Sequence, residues 1–229
     1  MLILLAISDI HERVKNISKL ASEIESSGIK LDAVIVAGDL TYFKGVNTAT
    51  RILIELKNKL KVNYVFFIPG NCDDPELLSV NKVNHEVVNI HKNPVNFKNY
   101  LLYGIGGGGI SPFNTLIEFS EEEFREHISL LEKTRSDVEN TIIVTHQPIH
   151  GFFDNVNGLN IGSVIFREFL ETYQPLLWIT GHVHENSGWT TFNRTTIVHP
   201  GPFMHGYYAL VELDNKAPRV IGVNIYKLK

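Results

Sequence analysis

Near its start the chain runs three times through a mainly apolar stretch and stops at side chains able to bind a metal. The stretches are residues 2–7 before Ser8-Asp9-Ile10-His11, 32–37 before Gly38-Asp39, and 62–68 before Pro69-Gly70-Asn71-Cys72-Asp73-Asp74. Such apolar runs, the first without any turn former, read as strands buried on both faces, the kind found in parallel sheets covered by helices. Between them Val14, Ile17, Leu20, Ala21 and Ile24 recur at helical spacing up to Gly28, and Val46, Ala49, Leu53, Leu56 and Leu60 repeat the pattern. Strands alternating with helices imply right-handed crossovers, which bring all three strand ends to one edge of a sheet. That edge is where such sheets bind ligands.

Further along, strand-like runs cover 85–90 and 99–105, followed by Gly106 to Gly109. Gly104-x-Gly106-x-x-Gly109 matches a dinucleotide fingerprint in letters only, because Ile110-Ser111-Pro112 cannot open the required helix. The glycines are either a plain turn or a loop whose backbone N–H groups approach a substrate phosphate. Ser120-x-x-Glu123 predicts a capping box for a helix through Phe124, Ile128 and Leu131, with Glu121, Glu122 and Glu123 as a solvated first turn. A strand at 140–145 then delivers His146, a helix spans 162–173, and a strand at 175–180 ends in Gly181-His182-Val183-His184. The remaining runs, 188–192, 195–199, 207–213 and 220–228, have no helix between them and predict antiparallel sheet.

Length and composition fit one compact domain over residues 1–229. The chain is 44% hydrophobic and 20% charged with no linker, repeat or low-complexity segment. A net charge of -4 gives no general attraction to nucleic acid or an anionic membrane. Cys72 is the sole cysteine, so no intrachain disulfide forms and a reducing compartment fits. The apolar start lacks a basic region and is cut off by Asp9, too short for a signal peptide or membrane span, which predicts a cytoplasmic protein. In that setting the glycosylation patterns at Asn16 and Asn193 are chance matches. Nothing in the sequence specifies an oligomeric state.

Collected together, the strand ends carry Asp9, His11, Asp39, Asn71, His146, His182 and His184. One such end is ordinary turn chemistry, but seven possible ligands at successive buried strand ends call for a metal. Carboxylate, amide and imidazole without thiolate suit manganese, iron, zinc, nickel or cobalt, and the set is too large for one ion.

Asp9-x-His11, Gly38-Asp39, Gly70-Asn71-Cys72-Asp73, Thr145-His146 and Gly181-His182-Val183-His184 resemble, in order and spacing, the five-block signature of calcineurin-like metallophosphoesterases. The likeness spans nearly the whole chain and is nearest to archaeal and bacterial members with Gly-Asn-Cys-Asp. It implies an α/β fold, a four-layer α/β/β/α sandwich of two mixed sheets flanked by helices. It also implies two divalent ions, manganese foremost, one held by Asp9, His11, Asp39 and His184 and the other by Asp39, Asn71, His146 and His182. A hydroxide between the ions would attack phosphorus in line, with Asp9, Asp39, Asn71 and His146 as the catalytic set.

In most members a His follows the Asn, where this chain has Cys72, a weak donor. Cys72 is either a small buried filler or a substrate contact, together with Gly107 and Gly108. The likeness to members lacking that His points to a phosphodiesterase acting on a phosphate-ester small molecule or nucleotide-like substrate. Rival readings are a phosphomonoesterase, a nuclease, which would want a basic groove, and a non-catalytic interaction scaffold, which would have lost ligands. Asp73 is expected to cap the next segment or to hold a His ligand from behind. His150, His199 and His205 read as surface or hydrogen-bonded core, and Phe152, Phe153 and Trp189 form a possible aromatic edge.

Overall fold

A computed structural model describes residues 1–133 and 138–229. In chain order the strands are β1 Leu2–Ile7, β2 Ala33–Ala37, β3 Val65–Ile68, β4 Val87–Asn89, β5 Val95–Phe97, β6 Tyr100–Ile105, β7 Gly108–Gly109 and β8 Glu118–Phe119. They continue as β9 Thr141–Thr145, β10 Asn155–Val156, β11 Leu159–Asn160, β12 Leu177–Ile179, β13 Gly188–Phe192, β14 Thr195–His199, β15 Tyr207–Leu213 and β16 Val220–Lys227. The α-helices are α1 Val14–Ser27, α2 Val46–Leu60, α3 Glu121–Lys133 and α4 Val164–Tyr173.

Two six-stranded mixed sheets result, ordered β16-β15-β1-β2-β3-β4 and β13-β14-β12-β9-β6-β5. Residues alternate between the two faces of a strand, so β1 sends Leu4 and Ala6 one way and Leu5 and Ile7 the other. Leu4, Ala6, Ile35 and Ile68 meet Leu102, Val144, Ile179 and Val198 from the second sheet. Leu5, Ile7, Val34 and Val36 pack under Leu20 of α1 and Leu53 of α2. Phe124 and Ile128 of α3 and Phe166 and Phe169 of α4 cover the second sheet on its outer side. The layers are therefore helix, sheet, sheet, helix.

Local chemistry sets the boundaries. Gly28 ends α1 in the left-handed conformation at φ 69°, as its position predicts. The capping box forms: the Ser120 amide donates to Glu123 at 2.8 Å and the Glu123 amide to the Ser120 hydroxyl at 3.2 Å. Helix α4 starts at Val164, later than expected, because the Ser163 hydroxyl caps the Phe166 amide at 3.2 Å. Glu121 is not simply solvated, since its carboxylate takes the Ser163 hydroxyl at 2.8 Å and the Ile165 amide at 3.0 Å.

The last four strands form antiparallel pairs as expected, β13 with β14 and β15 with β16, but split between the two sheets, with one parallel neighbour. β13 and β14 pair antiparallel, yet β14 runs parallel to β12 and so extends the second sheet. β15 joins the first sheet antiparallel to β1, and β16 pairs antiparallel with β15 at the edge. Identical hairpin patterns serve different sheets because long-range register, which no local pattern encodes, decides the partner.

Candidate metal centre

The C-terminal ends of β1, β2 and β3 lie side by side, since β1 pairs parallel with β2 and β2 with β3. Beyond the sheet the two leading loops stay tied: the Asp9 amide donates to Gly38 O at 3.0 Å, and the amides of Ile10 and His11 to Asp39 O at 2.8 and 3.1 Å. The loop after β12 joins them where the Gly181 amide meets His146 O at 3.2 Å. Asp9, His11, Asp39 and His182 all hold positive φ, at 55°, 43°, 51° and 77°. Such backbone costs about 1–3 kcal/mol per residue and clusters where geometry matters more than stability. The turns aim the side chains inward.

Two tight groups result. The ligand atoms of Asp9, His11 and His184 lie within 4.8 Å of one another, as do those of Asp9, Asp39 and His146. Asp9 is common to both groups. Asp39 spans them differently, with Oδ2 3.6 Å from His11 Nε2 and Oδ1 3.5 Å from His146 Nε2. Asn71 Oδ1 sits 2.9 Å from His146 Nε2, and His184 Nε2 3.2 Å from Asp9 Oδ1. The His182 amide donates to Asp9 Oδ2 at 3.2 Å, and its ring lies 5.0 Å from that of His146, centre to centre. All seven residues singled out in the sequence meet at one place.

Neighbouring groups hold this arrangement. Asp39 Oδ1 accepts the Cys72 amide at 2.9 Å, and a side chain on Gly70 would come within 2.0 Å of the same oxygen, so only glycine fits there. Asp73 neither caps the next segment nor bonds a histidine among the described residues. Its carboxylate takes the amides of Leu40, Thr41 and Gly70 and the Thr41 hydroxyl at 2.8–3.0 Å, locking the loops after β2 and β3 together. The cap is Asp74, which accepts the Glu76 amide at 3.0 Å. Burial and the charge of Asp39 push the Asp73 carboxyl up to about 7.

Electrostatically the centre is short of positive charge. Asp9 and Asp39 are 0% and 3% exposed, and among the described residues neither carboxylate meets a Lys or Arg. Burial drives the Asp9 carboxyl up, but the His184 hydrogen bond and the charges of His146 and His184 pull it below the usual range. Burial acts likewise on Asp39, and the charge and hydrogen bond of His146 overcome it. The counterpart is His146, where burial opposes protonation but Asp39 prevails and holds the imidazole up at about 9. His184 is raised by its bond to Asp9, whereas burial and the charge of His146 push His182 down to about 4. Protons on imidazoles thus do what a cation does, because a buried carboxylate needs a positive partner. The donor set fits borderline divalent ions, and His146 Nδ1, held 2.8 Å from Ala37 O, leaves Nε2 facing the cluster as a ligating imidazole requires.

Other expectations fare unevenly. The glycine amides are not free to cradle a phosphate: Gly106 donates to His91 Nδ1 at 2.9 Å, Gly107 to Pro69 O at 3.0 Å, Gly108 to Ile117 O at 3.0 Å and Gly109 to Gln147 Oε1 at 2.9 Å. Gly108 matters by closeness, since a Cβ there would stand 3.1 Å from Asn71 Cβ and 3.5 Å from His182 Cε1. Cys72 is buried, its thiol raised first by burial and then by the charge of Asp39. His199 is core: its Nε2 lies 3.0 Å from Gly181 O and its Nδ1 accepts the Gly201 amide at 3.1 Å, supporting the His182 loop from behind. His150 is half-buried with Nδ1 3.7 Å from Asp154, and His205 is exposed. Phe152 packs between Arg167 and Phe192, and Phe153 against His199, so neither is free as an aromatic edge; Trp189 is exposed on β13. The sequence reading missed Arg13 and Tyr42. With His11, Glu12, His184 and Met204 they line a groove of about 460 Å³ beside the cluster. Their nearness to Asp-x-His and Gly-Asp was the available signal.

The calcineurin-like phosphoesterase family model matches residues 2–186, and the chain belongs to that family. The uncharacterized protein MJ1162 of Methanocaldococcus jannaschii is 27% identical over 212 residues, covering 90% of each chain. The crystal structure of TT1561 of Thermus thermophilus superposes with a TM-score of 0.73 at 20% identity, covering 99% of both chains. A structure described as a novel archaeal phosphodiesterase gives 0.54 at 14% identity, covering 98% of this chain and 100% of that one. At such identities the structural likeness establishes the fold alone.

Proposed function

We propose that the protein is a binuclear metal-dependent phosphodiesterase, a single domain over residues 1–229 acting on small phosphate esters. The observation that carries this reading is the pair of buried carboxylates, Asp9 and Asp39, ringed by imidazoles and lacking any Lys or Arg partner among the described residues. On this reading one ion is held by Asp9, His11, Asp39 and His184, and the other by Asp39, Asn71, His146 and His182. Asp39 is assigned the shared position because one carboxylate oxygen faces His11 and the other His146. When bound, two divalent ions, manganese first among the borderline metals, supply an activated water and positive charge for phosphoryl oxygens. The chain's own contribution is to orient: Ala37 O fixes the His146 ring, and the Cys72 amide and Gly70 hold Asp39 in place.

Two features favour a diester. Cys72 is a buried thiol with a raised pKa, a poor proton donor to a leaving group. The groove beside His11 and His184 offers room for a second ester substituent, which a monoester does not have. No described helix is long and apolar enough to cross a membrane, and the lone cysteine supports a cytoplasmic setting. The test is a panel of bis(p-nitrophenyl) phosphate and p-nitrophenyl phosphate with manganese, iron, zinc, nickel and cobalt. Turnover of the diester is expected, and good monoester hydrolysis with none of the diester would overturn the reading.

A further inference from the structure

The groove beside the cluster is lined by His11, Glu12 and Arg13 of the loop after β1, Tyr42 of the loop after β2, and His184 and Met204. Glu12 and Phe43 sit at positive φ of 56° each, which turns their neighbours outward. The backbone is fixed by Glu12 N to Leu40 O at 3.2 Å, Arg13 N to Ile10 O at 2.9 Å and Phe43 N to Cys72 O at 3.0 Å. These bonds fix the backbone of the wall.

Its chemistry is selective. Tyr42 is 58% exposed, edge-on to the His11 ring at 5.6 Å, and Phe43 is 45% exposed with its ring 4.5 Å from that of Tyr42. Phe43 is tilted 57° against Tyr42, so the surface offered to a flat ring in the groove is the open ring of Tyr42. Arg13 is exposed, and among the described residues its side chain has no hydrogen bond and no ion pair. A guanidinium free to make two parallel hydrogen bonds recognises a phosphate or carboxylate. Glu12, the carboxylate on the groove wall, is turned onto the Tyr42 amide at 3.3 Å.

We infer that the groove binds the second ester substituent, and that the preferred substituent is a nucleoside bearing a further anionic group, its base against Tyr42 and its anion on Arg13. This rests on the phosphodiesterase reading above and names its substrate class. A single arginine in a chain of net charge -4 offers no track for successive phosphates, so the substrate is of nucleotide size, not a nucleic-acid polymer.

The test uses three diesters with one leaving group: methyl p-nitrophenyl phosphate, thymidine 5′-(p-nitrophenyl phosphate) and its 3′-phosphate. In the manganese-loaded wild type kcat/KM is expected to rise about tenfold at each step, the size of one stacking or charge-assisted contact. Arg13→Gln should collapse the ratio of the third substrate to the second towards one. Tyr42→Ala should collapse that of the second to the first, and Tyr42→Phe should restore it. Equal rates on all three in the wild type, or ratios unmoved by the variants, overturn the inference. Calorimetric binding of thymidine 3′,5′-bisphosphate separates the two levels. Binding weakened about tenfold by each of Arg13→Gln and Tyr42→Ala, without turnover of any diester, would retain the groove and sink the esterase; no binding by the wild type would sink the groove.

Discussion

The Nδ1 of His146 lies 2.8 Å from the carbonyl oxygen of Ala37, 109 residues earlier in the chain. A carbonyl only accepts, so Nδ1 carries the proton and Nε2 points at Asp39 and Asn71. Metal and proton therefore compete for Nε2. Asp39 raises the folded pKa of His146 from 6.5 to about 9 against the opposing effect of burial. The resulting stabilisation is full below about pH 6.5 and is lost as pH rises through about 9. The Tm of chelator-treated protein should fall over that window, and manganese should abolish the fall, because the ion takes the place of the proton. An identical pH slope with and without metal would contradict this.

Asp73 gathers four donors without touching the cluster. Asp73→Asn keeps the shape but turns one acceptor into a donor facing other donors. Each unsatisfied buried group costs about 1–3 kcal/mol. A loss of about 2–4 kcal/mol is expected in urea unfolding, with metal affinity weakened about 10–100-fold, the usual effect of removing a group that orients ligands.

Cys72 tests the diester preference directly. With a buried thiol kept protonated, Cys72→Ser should change diester kcat by less than about fivefold, since neither side chain is a competent acid at neutral pH. Cys72→His places a general acid beside Asn71 and should raise the ratio of monoester to diester hydrolysis about 10²-fold, within the range of general-acid catalysis. A ratio that does not move would remove Cys72 from the account of specificity.

Away from the cluster, His91 accepts the Gly106 amide, and burial holds its pKa down at about 3. A depressed histidine contributes stability above its unfolded pKa of about 6.5 and loses it as pH falls. Relative to His91→Asn, the wild type should lose on the order of 2 kcal/mol by pH 5, at about 1.4 kcal/mol per unit. Denaturant melts of both proteins at pH 7 and pH 5 provide the check.

The seven clustered residues were readable because each ends or closely follows a buried strand, and local apolar runs mark such ends. Asp73 and Asp74 look alike in sequence and both reach back to the segment after β2, Asp73 to Leu40 and Asp74 to Val46, so only the added bond from the Glu76 amide marks Asp74 as the cap. The glycine run could not be interpreted for the same reason, since its amides are taken by His91 and Gln147, distant in the chain. Glu121 read as a solvated acid because its partners, Ser163 and Ile165, belong to another helix. Tyr42 and Arg13 were overlooked because a lone exposed ring or cation resembles ordinary surface until the groove between them is seen.

The most direct test of the central claim is hydrolysis of bis(p-nitrophenyl) phosphate by metal-free wild type and Asp39→Ala as manganese is added. The wild type should gain activity that saturates at two equivalents per chain, while the variant, lacking the shared carboxylate, should remain inactive though folded. Turnover without metal, or turnover retained by Asp39→Ala, would contradict the account.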